Sequence, residues 1–274
     1  MGRAFAQELA INGFNVVLHG RNQEKLARVM SELQDLFPQR LFRILIADAS
    51  TVACANCLAA PAGGNPDAAT VDFEAIKRVL SDINLTVLVN NVGGNPNRPA
   101  FLLLQDKEET KVTENVSLNA LFPLHLIRAL LPELIQNSPA LLVTVGTLAD
   151  QGLPLNASYS ASKRFLMTLT STLRLEMAME GRENDVEILG IRTGRVTGVA
   201  GYKEPPSFFA PDVNTYAKSA LALAGHGHGI VIGYWTHTLQ YVMASMLPRF
   251  VEDKVLISIM RQNKEWELKK MKES

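Results

Sequence analysis

Short apolar runs rich in β-branched and aliphatic side chains recur along this chain, and stretches with helical periodicity separate them. The runs are Phe14–Leu18, Phe42–Ile46, Leu85–Val89, Leu141–Val145, Val186–Ile191 and Gly229–Gly233. Between them, apolar spacing predicts helices over 3–12, 22–36, about 73–82, about 108–137 and about 157–180. Strands that read as unbroken apolar runs are buried on both faces, and strands alternating with helices make βαβ units. The expected fold class is therefore α/β, a doubly wound parallel sheet with its ligand at the carboxyl ends of the strands. The pattern opens on a helix, whereas such folds open on a central strand, so the sheet is expected to lack its first strand.

Composition narrows the function. The chain has 274 residues, with 27 basic and 27 acidic side chains. Zero net charge argues against a protein that coats nucleic acid, which needs a basic excess to displace counterions. Two cysteines cannot build a disulfide framework, which points to a reducing compartment. No uninterrupted apolar run reaches the length of a membrane span, and Met1–Phe5 is no signal peptide. No linker or repeat divides residues 1–274, so one domain is expected, with a helical extension from about 235; the Ala/Gly/Pro-rich stretch 52–70 reads as a surface excursion.

The strongest chemical signal is Tyr159-Ser160-Ala161-Ser162-Lys163, which puts a phenol and an ammonium one helical turn apart. A phenol with an ordinary pKa near 10 is a poor acid–base catalyst at neutral pH, and a nearby cation lowers that pKa. Thr147 stands at the end of one predicted strand, Asn90-Asn91-Val92-Gly93 at the end of another, and Asn119 in the long helix between them.

With these motifs the chain resembles the short-chain dehydrogenase/reductase family, a Rossmann-like fold marked by YxxxK, a preceding Ser or Thr, NNxG and a helical Asn. The resemblance runs from Gly2 to about residue 235. It implies that Tyr159 protonates the carbonyl oxygen, that Lys163 binds the nicotinamide ribose and lowers the Tyr159 pKa, and that Thr147 hydrogen-bonds the substrate carbonyl. Asn119 would hold a proton-relaying water; it is preferred to Asn115 for its interval to Pro132. Asn90 and Gly93 would shape the cofactor pocket, Asp48 would meet the adenine, Thr193-Gly194 would match the family's Pro-Gly, and Thr197 would touch the carboxamide.

Two departures stand out. The family's usual Ser position is Gly146, and Thr147 fits only with a one-residue deletion. Of the TGxxxGxG loop only Gly2 is present; Met1-Gly2-Arg3-Ala4-Phe5 reads as the tail of Gly-Ile-Gly-Arg-Ala-Phe with its start cut off. Cofactor choice follows from charge: His19-Gly20-Arg21-Asn22 ends the strand without a carboxylate, and Arg21 can meet a 2′-phosphate, with Lys25 assisting. The expected cofactor is NADPH.

Residues 199–211 are expected to form a substrate lid, and their Tyr202, Phe208 and Phe209 suggest a bulky apolar ketone. The wording of 86–105 and 119–132 resembles the 17β-hydroxysteroid dehydrogenase and very-long-chain 3-oxoacyl-CoA reductase branch, which implies a 3-oxoacyl thioester or a steroid-like ketone. Residues 234–250 read either as a peripheral membrane-facing helix or as one packed on the domain, and packing is preferred. The tail resembles a dilysine retrieval signal, so the expected location is the cytoplasm or the cytosolic face of the endoplasmic reticulum. The helices at 108–137 and 157–180 imply a homodimer by analogy. No metal site is expected: Cys54-Ala55-Asn56-Cys57 lacks a second ligand pair, and His226-Gly227-His228 reads as a glycine-rich loop. The competing reading is a catalytically silent relative with a binding or regulatory role.

Overall fold

A computed structural model describes residues 1–52, 70–95, 99–199 and 203–273. Cys54, Cys57 and Tyr202 lie outside the described residues. The strands are β1 (Val16–Gly20), β2 (Phe42–Ile46), β3 (Val87–Asn90), β4 (Ala140–Val145), β5 (Val186–Arg192) and β6 (Ile230–Ile232). The helices are α1 (Gly2–Ile11), α2 (Gln23–Leu36), α3 (Phe73–Leu80), α4 (Glu109–Val116), α5 (Phe122–Gln136), α6 (Ala157–Met179), α7 (Val213–Leu221), α8 (Trp235–Ser245) and α9 (Arg249–Glu273).

All strand pairs are parallel. They form two sheets, β1-β2 and β3-β4-β5-β6. The sheet is thus interrupted: β1 and β3 each end a sheet and do not pair. Val16, Val17 and Val87–Val89 are only half-buried, whereas Leu142 and Val143 of the interior strand β4 are wholly buried. One apolar layer spans the interruption, since Val17, Leu45 and Leu88 pack against the cluster of Phe122, Leu126 and Leu130.

Alternation along β4 and β5 sets the two faces of the larger sheet. Val143, Val145, Leu189 and Ile191 pack with Phe5 of α1 and with Tyr216 and Ala217 of α7. Ala140, Leu142, Val186 and Ile188 pack instead with Ile127 and Leu134 of α5 and Met177 of α6. Strands covered on both faces need apolar residues at every position, which is why these runs are unbroken. Helix starts are capped locally: Asn22, Asp72 and Asp212 accept backbone N–H groups at the first turns of α2, α3 and α7. The helix α7 has no counterpart in the sequence-based assignment.

Helices α4 and α5 form one rod, Glu109–Gln136, broken at Ser117–Leu121 by a π-helical turn. The rod is long and apolar enough to cross a membrane, but half of its most apolar window is buried inside the protein. The C-terminal region corrects one expectation. Helix α8 buries only Thr236 and His237, and Trp235, Leu239, Val242, Met243, Met246 and Leu247 remain exposed. The face carrying His237 makes the buried contact, and of the apolar side Trp235 meets Phe208 edge-on while the others stay largely exposed among the described residues.

Candidate active site

The carboxyl ends of β3 and β4 and the first turns of α6 bring the expected chemical groups together. Tyr159 is half-buried in the first turn of α6, and the Thr147 side chain is its polar neighbour. Burial pushes the phenol above its ordinary range, and the Thr147 side chain pulls the other way. Thr147 also caps the turn Leu148–Gln151, its hydroxyl accepting the Ala149 N–H at 3.2 Å. That turn rests on a buried ion pair: Arg192 Nε lies 2.9 Å from Oδ2 of Asp150, whose side chain is fully buried.

Gly146 cannot stand in for Thr147. It is buried, and a Cβ there would lie 2.8 Å from both Sδ and Cε of Met167. A side chain at 146 would meet the core, so the hydroxyl of this site is that of the next residue.

Lys163 is buried, and its Nζ donates to the Val145 carbonyl at 3.1 Å. Desolvation lowers its pKa to about 8. The sequence leads one to expect the ammonium to depress the Tyr159 pKa, and this arrangement differs. A buried ammonium needs an acceptor, the β4 carbonyl supplies one, and burial, not a neighbouring charge, dominates the shift at Tyr159.

Asn119 sits in the π-helical turn, a feature often found at functional sites. Its Nδ2 donates to the carbonyls of Gly94 and Asn115, and its Oδ1 accepts the Gly94 N–H at 2.9 Å. A Cβ on Gly93 (φ +148°) would fall 2.7 Å from both Asn119 Oδ1 and Lys163 Nζ. Glycine is therefore required where the segment after β3 passes between these two side chains. Asn115 donates to the same Gly94 carbonyl at 3.3 Å, so the two asparagines share one backbone target and only Asn119 also accepts from it.

The expected cofactor residues divide into two sets. Gly2 begins α1, and a Cβ there would stand 3.2 Å from Asn91 Nδ2, so helix and strand meet closely. Arg21 and Asp48 follow β1 and β2 and pair with each other at 3.6 Å. Despite partial burial, bonds from Ser50 and the Arg21 guanidinium hold the Asp48 carboxyl below its usual range. Asn90 is buried, and its amide has no hydrogen-bond partner among the described residues, an arrangement that suits a bound polar ligand at the end of β3. By contrast, the Thr193 hydroxyl is 2.6 Å from that of Tyr216, and Thr197 donates to the Pro211 carbonyl at 3.3 Å. Both hydroxyls are engaged within the protein, because Tyr216 and the backbone near Pro211 close over them.

One residue escaped the sequence reading. His237 is wholly buried; its Nδ1 accepts the Gly194 N–H at 3.3 Å and its Nε2 lies 3.0 Å from the Arg195 carbonyl. It fixes the segment after β5 from outside, and a lone histidine in an apolar stretch carries no sequence signal for that. Near it, a cavity of about 300 Å³ is lined by Arg195, Thr197, Pro205, Phe209 and Gln240. Phe208 stacks edge-on against Phe209 and Trp235 beside it. At the opposite end of β5, Glu187 accepts the N–H groups of Gly225 and Gly227, and His226 and His228 stack on each other. A carboxylate therefore adjoins this loop, although the sequence showed none nearby, and it is bonded to backbone.

A phenol, a threonine hydroxyl, a buried lysine and an asparagine thus lie around one strand end, groups able to do acid–base chemistry. The family model described as short chain dehydrogenase matches residues 65–203. The chain belongs to the short-chain dehydrogenase family. It is similar to the very-long-chain 3-oxoacyl-CoA reductase of Caenorhabditis briggsae, 31% identical over 260 residues, covering 94% of this chain and 76% of that protein. Its fold is that of a Sphingobium yanoikuyae short-chain dehydrogenase in complex with NADPH: TM-score 0.66, 19% identity, 90% of this chain and 92% of that one. A 7β-hydroxysteroid dehydrogenase structure also shares it: TM-score 0.68, 19% identity, 94% and 91% of the two chains. As a short-chain dehydrogenase the chain is an oxidoreductase, and its parallel α/β architecture is the family's.

Proposed function

We propose that this chain reduces a ketone on a bulky apolar substrate, a 3-oxoacyl thioester or a steroid-like ketone, to a secondary alcohol with NADPH. The observation that carries this reading is the convergence of buried Lys163 and Asn119 on Gly93–Gly94, with Tyr159 one helical turn from Lys163 and beside Thr147. Resemblance to a 3-oxoacyl-CoA reductase at 31% identity supports the substrate class.

Residues present fit a dinucleotide. Arg21 would meet the 2′-phosphate, Asp48 the adenine, and Asn90, Gly93 and Lys163 the nicotinamide half; the unpartnered Asn90 amide is the strongest sign of fit. NADPH supplies the hydride when bound. Tyr159 gives its proton to the ketone oxygen, and a phenol whose pKa is raised by burial keeps that proton until the oxygen becomes basic. Thr147 donates its hydroxyl proton toward the same oxygen. Lys163 passes a proton back toward Tyr159 and is itself reprotonated from solvent through the water that Asn119 is proposed to hold. The aromatic pair Phe208–Phe209 fits an apolar substrate, the exposed apolar side of α8 fits peripheral contact with a membrane at the cytosolic face of the endoplasmic reticulum, and the outer surfaces of α4–α6 would form a homodimer.

The test is to mix the purified chain with NADPH and a long-chain 3-oxoacyl-CoA and to follow nicotinamide absorbance and 3-hydroxy product. Stoichiometric product supports the reading, and no product with saturating NADPH contradicts it.

A further inference from the structure

Helix α9 touches the body through one stripe: Leu256, Met260, Asn263 and Glu267 are turned inward, while Ile257, Ile259, Trp266 and Leu268 face out. Met260 is the buried apolar residue of the stripe. Glu267 is different, a carboxylate only 8% exposed. Among the described residues no cation pairs with it. Instead Oε1 and Oε2 accept the Ala100 N–H at 2.8 and 2.9 Å, and Oε2 accepts the Phe101 N–H at 3.1 Å. Burying a charge is costly unless charge-assisted bonds compensate, and here they all go to backbone 166 or 167 residues away in sequence.

The backbone so held leads to the reaction centre. The Ala100 carbonyl accepts from Asn95 Nδ2 at 3.2 Å, and the same amide donates to Asn156 Oδ1 at 3.0 Å. Asn156 precedes α6, and its carbonyl accepts the Ser160 N–H next to Tyr159. On the other side, Asn95 follows Gly94, both of whose backbone groups are bound by Asn119.

We propose that Glu267 is a positioning residue: from α9 it fixes Ala100 and Phe101, and through Asn95 it sets the register between the Gly93–Gly94 backbone and the first turn of α6. The inference rests on the reductase reading for its kinetic consequence but not for its structural one.

The test uses the full chain as wild type, Glu267→Gln, Glu267→Asp and, as a control on the outer face, Trp266→Ala. Amide exchange at Ala100, Phe101 and Gly94 is measured together with kcat and KM for NADPH-dependent reduction. Glutamine has one acceptor and turns donors toward donors, so exchange at all three amides should accelerate by about tenfold or more. The rate constant kcat should fall by about tenfold or more, with KM for NADPH within about twofold, because misplacement costs turnover more than binding. Aspartate, which keeps the charge on a shorter arm, should recover part of both, and Trp266→Ala should alter neither. If the glutamine variant does not fold, the aspartate variant carries the same readouts. Faster exchange at Ala100 with Gly94 and kcat unchanged would reduce Glu267 to a tether and overturn the proposal. If the wild type shows no reduction at all, the reductase reading falls, and exchange at Gly94 alone decides the role of Glu267.

Discussion

Thr147, just beyond β4, adjoins Tyr159, in the first turn of α6, and its side chain draws the phenol's pKa down, while the Lys163 ammonium bonds the Val145 carbonyl instead. Thr147→Val removes the hydroxyl and keeps the shape. The expected result is a fall in kcat of about tenfold to a hundredfold with NADPH affinity retained, whereas Thr147→Ser should stay within a few fold. Steady-state kinetics on the three proteins checks it.

Serine at position 146 should not rescue the site. Its Cβ would press on the flexible end of Met167, at a cost of about 1–3 kcal/mol for an overpacked core. Thermal unfolding of Gly146→Ser should shift down by about 2–8 °C. The pair Gly146→Ser with Thr147→Ala should be as slow as Thr147→Ala alone, and recovered activity would place the functional hydroxyl at 146.

NADPH affinity should weaken as pH rises through about 8, because Lys163, its pKa lowered by burial to about 8, then loses the charge proposed to meet the ribose. Lys163→Arg, which stays charged, should lose that dependence. The stability effect has the opposite sign. Between about 8 and the ordinary 10.5 the unfolded chain binds the additional proton, so the Lys163 contribution to stability grows with pH. Fluorescence titration and urea midpoints at pH 7, 8 and 9 separate the two.

Arg21 pairs with Asp48 but remains largely exposed, so it is free to exchange that partner for a phosphate. Arg21→Ala should weaken NADPH by about tenfold and NADH by less than about twofold. Equal losses in the two titrations would contradict the assignment of NADPH.

Much of the fold was legible because a strand covered on both faces leaves an unbroken apolar run, and β2, β4 and β5 fall where those runs lie. The boundary of β1 moved to Val16 because the Asn15 side chain accepts the Leu41 N–H and ends the ladder there. The site's residue types were legible from Tyr159, Lys163 and Asn119, whose spacing survives folding. What was not legible depends on placement across the chain. The Lys163 ammonium could bond a phenol or a carbonyl, and only the position of Val145 decides. The exposed apolar side of α8 and the buried carboxylate of Glu267 reverse what composition suggests, since each reflects which face of a helix meets the body. Helix α7 lies in a segment to which no element was assigned from sequence, although its Asp212 cap was a usable signal.

The most direct measurement is the NADPH-dependent reduction of a long-chain 3-oxoacyl-CoA by Tyr159→Phe beside the wild type, with NADPH binding titrated in both. The account predicts a fall in kcat of about a hundredfold or more with unchanged cofactor affinity. A variant that turns over within about twofold of the wild type would contradict Tyr159 as the proton donor.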